Sequence, residues 1–308
     1  MFKFSIIIYF FLIFLNITAS YSKIQIKYKI GNEIITNIDI VNERNYLIFL
    51  RPNLVDLPDK EIKKIAENSL IREIIKKKEL EKVFKNFDKK EYTQGIKQNL
   101  FSFKKVDSEE EFLDLLNKYN IEYDKILQKI KYEGLWNELV FRKFNKLIKI
   151  DEEELKKKIN SKILNKKKYE YNLSEILFEL DKNEIFEEKY KEILKYIEFN
   201  DFKSAASKYS ISNSSNKGGQ IGWIKETLLS DDLLNILDKL KKNQLTKAIK
   251  YPNGYLILKI NEKKQMEQII NIEKELEEIV KFEKNKQLNQ FSLLYYKKLK
   301  QNTTIDEY

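Results

Sequence analysis

Gly218-Gly219-Gln220-Ile221-Gly222-Trp223 is the stretch that decides the fold. It closes a polar loop, Ser212 to Lys217, and its paired glycines suit turns and close backbone approach that a Cβ would block. Upstream, Leu173-Ser174-Glu175-Ile176-Leu177 lies within an apolar run, Tyr169 to Leu180, that reads as a strand. Downstream, Tyr251-Pro252-Asn253-Gly254 reads as a hairpin turn, and Tyr255-Leu256-Ile257-Leu258-Lys259-Ile260 as the strand leaving it. Between these strands the pattern turns helical over 184–198. Asp201 then caps a short helix over 202–209, and another begins after Ser230, where Asp231 and Asp232 suit a helix N-terminus. The order β-α-α-(loop)-α-β-β makes an α+β unit over 165–262.

On the N-terminal side the chain is almost entirely helical. Ile24, Ile26, Tyr28 and Ile30 alternate up to Gly31-Asn32, and Ile34-Ile35-Thr36 follows, so a small hairpin is expected. A helix should cover 39–50. Pro52 and Pro58 bound a loop, and Asp59 stands where an N-cap would. Ile62, Ile65, Ala66, Leu70, Ile74 and Ile75 then predict an amphipathic helix to about Phe84. Ser108 with Glu111, and Asp151 with Glu154, have capping-box spacing; a long helix over 122–148 lies between them. The tail, 263–308, opens with a long helix carrying Leu276, Ile279, Phe291 and Leu294, and Thr303-Thr304-Ile305 reads as a final strand. That helix needs a partner, and the helical lobe over 23–164 is the one available. The fold class is therefore α+β: a mainly helical lobe completed by the C-terminal helix, with one α+β domain between.

Lys3 and the apolar run Phe4 to Leu15, followed by Thr18, Ala19, Ser20 and Ser22, have the form of a cleavable secretory signal over 1–22. The run is shorter than the ~20 residues a membrane span needs, which favours cleavage and an exported, periplasmic protein without stable membrane insertion. The rival is an uncleaved anchor on a structural envelope protein. The charge of +10 comes from 58 Lys+Arg against 48 Asp+Glu, interleaved as on solvated helix faces. With no nucleic-acid module or aromatic-basic platform, no nucleic-acid partner is expected. Cys and His both number zero. Disulfides, a lipoprotein anchor, thiol catalysis, a Ser-His-Asp triad and the usual zinc sites are excluded, and no metal or cofactor is expected.

The three strings around Glu175, Gly218-Gly219 and Gly254-Tyr255 resemble the parvulin family of peptidyl-prolyl isomerases. The whole layout resembles the SurA-like periplasmic chaperones, but with a single parvulin unit where SurA carries two. Carried over by position, the resemblance places Glu175 where the first-strand histidine belongs, and Ser212 at a Cys or Asp position. Leu229 and Leu233 fall where Met and Phe line the proline pocket. Tyr251 replaces a small hydroxyl residue, and Leu256 the second histidine. Ile221 and Trp223 belong to the substrate-binding surface on this reading. A carboxylate on a strand facing Leu256 either has its pKa raised by burial or reaches Ser212, Tyr251 or water. Isomerisation lowers a ~18–20 kcal/mol rotation barrier by binding the twisted imide, with no nucleophile. Loss of both histidines therefore weakens the pocket without removing an attacking group. The resemblance implies a chaperone for unfolded polypeptides, above all outer-membrane β-barrel precursors, with weak or absent isomerase activity. The alternative is an active isomerase with an atypical pocket.

Overall fold

The computed structural model describes residues 23–84, 101, 104, 106–163, 169–181, 183–252, 254–266 and 271–308. The secretory signal read over 1–22, the expected domain boundary at 164/165 and the tail helix's expected start near 268 lie outside them.

The hairpin forms as β1 (Ile26–Ile30) and β2 (Glu33–Thr36), turning at Gly31 with φ of 62°. Helix α1 (Asn37–Leu50) starts at a capping box: Thr36 accepts from the Asp39 amide, and the Asp39 carboxylate accepts from the Thr36 amide. Helix α2 (Asp59–Val83) is capped by Pro58; Asp59 is its first residue and not its N-cap. Proline suits that edge because the amide it lacks would have no helical partner. Ser108 caps α3 (Glu109–Lys118), with the reciprocal Glu111 bond going to the Asp107 amide. Helix α4 (Tyr123–Phe144) ends earlier than its periodicity suggests, in the 3-10 turn Asn145–Leu147. Helix α5 (Glu152–Ile163) begins at the Asp151 side chain, which accepts from the Glu154 amide.

The α+β unit follows as β3 (Tyr169–Phe178), α6 (Phe186–Phe199), α7 (Phe202–Tyr209), β4 (Gln220–Lys225), α8 (Asp231–Leu237), β5 (Ile249–Tyr251) and β6 (Gly254–Gln265). The sheet order is β4-β3-β6-β5, antiparallel throughout. Two differences from the sequence reading matter. Strand β3 stops at Phe178. The segment after Gly219, whose glycines hide any local strand signal, is strand β4, made by pairing with β3.

The last helix, α9 (Ile272–Gln301), returns to the helical lobe. The Trp136 indole N–H donates to Ser292 Oγ at 2.9 Å, and its ring stacks on Tyr295. Phe144 stacks on Phe291. Strand β7 (Ile305–Glu307) then pairs with β1, giving a β2-β1-β7 sheet. First and last strands are thus neighbours, and the α+β unit is inserted between them. The largest core cluster joins helical-lobe residues such as Ile30, Leu47, Leu54 and Ile62 to Ile176, Phe178 and Ile257 on one face of the four-stranded sheet and to Ile193 of α6.

Candidate functional site

The opposite face of that sheet carries the site. Side chains alternate along β3, so Tyr171, Leu173, Glu175 and Leu177 share one face while Ile176 and Phe178 face the other lobe. Register pairs Glu175 with Leu258 and Leu177 with Leu256. Leu256 is therefore a diagonal neighbour of Glu175 and not its direct partner. A lone carboxylate stands among leucines.

The loop after α7 supplies its polar contacts. The Ile211 amide donates to the Leu177 carbonyl at 2.7 Å, and the Leu177 amide donates to Ser210 Oγ at 3.1 Å. These bonds tie the loop's start to β3. Its end is tied by the Glu175 amide, which donates to the Gly219 carbonyl at 2.8 Å. Between the ties, Ser212 caps a 3-10 turn, Asn213–Lys217. Ser212 Oγ lies 2.5 Å from Glu175 Oε1, and Ser214 Oγ lies 2.8 Å from the same oxygen. Of the two fates open to Glu175, the structure shows the hydrogen-bonded one. Sequence reading named Ser212 but not Ser214, whose only signal was its place in the same serine-rich loop.

Leu229 and Leu256, 7% and 8% exposed, belong to the apolar cluster beside Glu175. Leu233 and Tyr251 pack against it, half-buried. Trp223 and Ile221 stand apart. Trp223 pairs with Asn172, which puts it on the face away from Glu175, 40% exposed beneath Lys264 Nζ. Ile221 is the extra residue of a bulge in β4 and is 39% exposed.

Two partners of the site come from distant sequence. Arg51, from the end of α1, is 8% exposed; its Nη1 donates to the Ser215 carbonyl at 2.9 Å and contacts Ser207 Oγ. Burial pulls its pKa down to about 10. Arg72 Nη1 reaches Ser215 Oγ at 3.4 Å. The helical lobe thus pins the loop that holds Ser212 and Ser214. Helix α9 roofs the leucine cluster: Phe282 and Leu293 pack on it, and Gln290 Nε2 donates to the Tyr251 hydroxyl at 3.3 Å. Lys225 ties the same helix face through Glu275, at 3.0 Å, and Glu278. No sequence pattern announces these contacts, because each joins segments far apart in the chain.

Two cavities open along the seam between the lobes. One, of about 620 Å³, is walled by Tyr28, Arg72, Tyr209, Pro252, Leu293 and Leu294. The other, of about 660 Å³, is walled by Leu47, Leu50, Arg51, Arg72, Ile130 and Lys217.

Residues 175–262 match the family model of the PPIC-type PPIase (rotamase) domain, so the chain carries a parvulin domain of that type. Chaperone SurA of Pseudomonas putida is 26% identical over 163 residues, 50% of this chain and 38% of that protein. Chaperone SurA of Buchnera aphidicola is 38% identical over 55 residues, 18% of this chain and 13% of that protein. The matched stretches thus span well under half of these relatives' own length. Among solved structures, one of two SurA-like chaperones of Campylobacter jejuni aligns over 92% of this chain and 98% of its own, at 16% identity and a TM-score of 0.37. PrsA of Bacillus subtilis aligns over 79% of this chain and 85% of its own, at 19% identity and a TM-score of 0.31.

Proposed function

We propose that this SurA-like chain with a PPIC-type parvulin domain is an exported chaperone that holds unfolded polypeptides between its lobes. Residues 23–164 with 263–308 form the holding lobe, and 165–262 the parvulin domain. Its clients are secreted chains and outer-membrane β-barrel precursors, which expose alternating apolar and polar side chains before they fold. The observation that carries this reading is the pair of seam cavities, whose walls mix aliphatic, aromatic and charged residues from both lobes. A site of that kind grips many sequences weakly and needs no reacting group. Addition of the mature chain to a barrel protein diluted from denaturant should slow its aggregation in proportion to chaperone concentration. An unchanged aggregation rate would sink the proposal.

The parvulin domain is weakly active or inactive on this reading. Glu175 offers a hydrogen-bonded carboxylate where the family carries a histidine, and α9 covers the leucine groove. A second reading, an active isomerase, draws on one feature: the hydrogen-bonded Glu175-Ser212-Ser214 trio lies beside the leucine cluster. A proline-peptide isomerisation assay separates the two. A rate equal to that of buffer rejects the second reading; a strong rate abolished by Glu175→Ala rejects the first.

A further inference from the structure

We propose that the seam between the lobes selects unfolded segments in which acidic side chains stand next to apolar ones. This rests on the reading of the seam as the client site and adds to it a preference in charge. Arg72 walls both cavities, so the two adjoin along the seam, and their walls together make a charged tract. Charged groups of opposite sign on its walls are not in the same state. Four of the five wall carboxylates are ion-paired within the protein. Glu179 pairs with Lys297, Glu133 with Lys76 at 2.9 Å, and both Glu43 and Glu73 with Lys129. Glu307, the fifth, has only the Tyr28 hydroxyl at 3.4 Å, whose proton goes to Glu67 at 3.0 Å.

Five wall cations are different. Arg51, Arg72, Lys203, Lys217 and Lys300 line the tract, and among the described residues none has a carboxylate within ion-pair reach. Arg51 Nε is buried without a hydrogen-bond partner. Lys203, Lys217 and Lys300 are exposed. The tract therefore holds positive charge that no carboxylate among the described residues pairs, in a concave place where low-dielectric walls concentrate the field.

Apolar surface lies between those charges. Leu293, Leu294, Ile305 and Pro252 wall the first cavity, and Leu47, Leu50 and Ile130 the second. Leu294 is 52% exposed. Single-stranded nucleic acid binds on aromatic shelves that stack its bases; in these walls the aliphatic side chains outnumber the five tyrosines, Tyr28, Tyr46, Tyr132, Tyr209 and Tyr296, which favours a polypeptide. On an extended chain successive side chains point to opposite sides, so alternating acidic and apolar residues present one kind to the cations and the other to the leucines.

The test uses the full mature chain and three short labelled peptides, alternating tyrosine with glutamate, serine or lysine. The glutamate peptide should bind about tenfold more tightly than the serine peptide at low salt, with the lysine peptide weakest, and the gap should close at high salt. The combined variant Lys203→Glu, Lys217→Glu, Lys300→Glu changes only exposed side chains and should reverse the order with an unshifted melt. Equal binding of the three peptides, or an order that survives the charge reversal, overturns the selectivity while leaving the client site standing. If no peptide binds, the client site falls and the selectivity with it. Tighter binding of a single-stranded oligonucleotide than of the glutamate peptide also overturns the proposal.

Discussion

At the scale of the residue, two glycines separate constraint from convenience. Gly219 has φ of 79°, and a Cβ there would sit 2.3 Å from the Glu175 carbonyl oxygen. Gly219→Ala should cost about 3 kcal/mol or more by chemical denaturation, and it should disturb the Glu175-Ser212 contact. Gly134 lies within α4 with nothing inside 4 Å of its Cβ position. Gly134→Ala should therefore stabilise by about 0.5–1 kcal/mol. The pattern Gly-Gly-x-x-Gly-Trp marked the first glycine's importance in the sequence; only the pairing of Glu175 with the Gly219 carbonyl gives the reason. Tyrosines govern the response to pH. Tyr28, Tyr171, Tyr196, Tyr209 and Tyr295 each donate to a carboxylate, and burial first, then that bond, raises each phenol pKa. A pKa raised in the folded state means that the native protein holds the proton more tightly than the unfolded chain. That stabilisation is complete below the unfolded value of ~10 and is lost as pH climbs beyond it. Arg51, Lys76 and Lys104, pulled down by burial, act in the opposite sense, but they are three groups against these five. With no His or Cys, the melting temperature should stay nearly level between pH ~6 and ~8 and fall above ~10, in step with tyrosinate absorbance.

At the scale of the element, α9 is the decisive piece because it uses two faces. Ser292 and Tyr295 meet Trp136 of the helical lobe, while Glu275, Phe282, Gln290 and Leu293 meet the parvulin domain. Its sequence shows an apolar stripe for the first contact, but Phe282 and Leu293 of the second face fall outside the stripe named from the sequence. Trp136 is fully buried, so Trp136→Ala should cost about 3–5 kcal/mol. Trp136→Phe keeps a stacking ring and leaves the buried Ser292 hydroxyl unpaired, at about 1–3 kcal/mol. Urea melts that gave equal losses for both variants would show that Ser292, and not packing, anchors the helix.

At the scale of the whole molecule, β1 and β7 close the lobe that the parvulin domain interrupts. Ile305 pairs with Ile30, and the Tyr308 amide donates to the Lys27 carbonyl at 2.9 Å. A chain lacking 266–308 loses the cover over Leu80, Trp136 and Leu139, and its helical lobe should no longer melt cooperatively. Burial of each such side chain is worth ~1.5–3 kcal/mol, against a net domain stability of ~5–15 kcal/mol. Residues 165–262 made alone should still fold. They should melt at a lower temperature than within the full chain, because Ile176, Phe178 and Ile257 share their core with the helical lobe. Circular dichroism melts of both fragments check this. A cooperative, unshifted transition of the helical lobe in the tail-deleted chain would make α9 an independent arm.

The sequence by itself determined what depends on neighbours along the chain. The caps at Ser108, Asp151 and Asp201, the helical stripes of α2 and α9 and the strand alternation of β3 were all legible, because period and cap chemistry are local. The parvulin resemblance put Glu175 and Ser212 in one pocket but left Ser212, Tyr251 and water open as partners of the carboxylate; the structure pairs it with Ser212 and Ser214. The resemblance did not reveal that β4 is a strand, since Gly219 and Gly222 erase the local signal and only pairing with β3 creates it. Tertiary structure alone separated Trp223 from Glu175, because the face a residue takes follows from register across a bulge. It alone brought Arg51 to Ser215 and α9 over the leucine groove. These contacts join residues remote in sequence, and they arise from how two lobes bury a shared core, which no stretch of one strand or helix encodes.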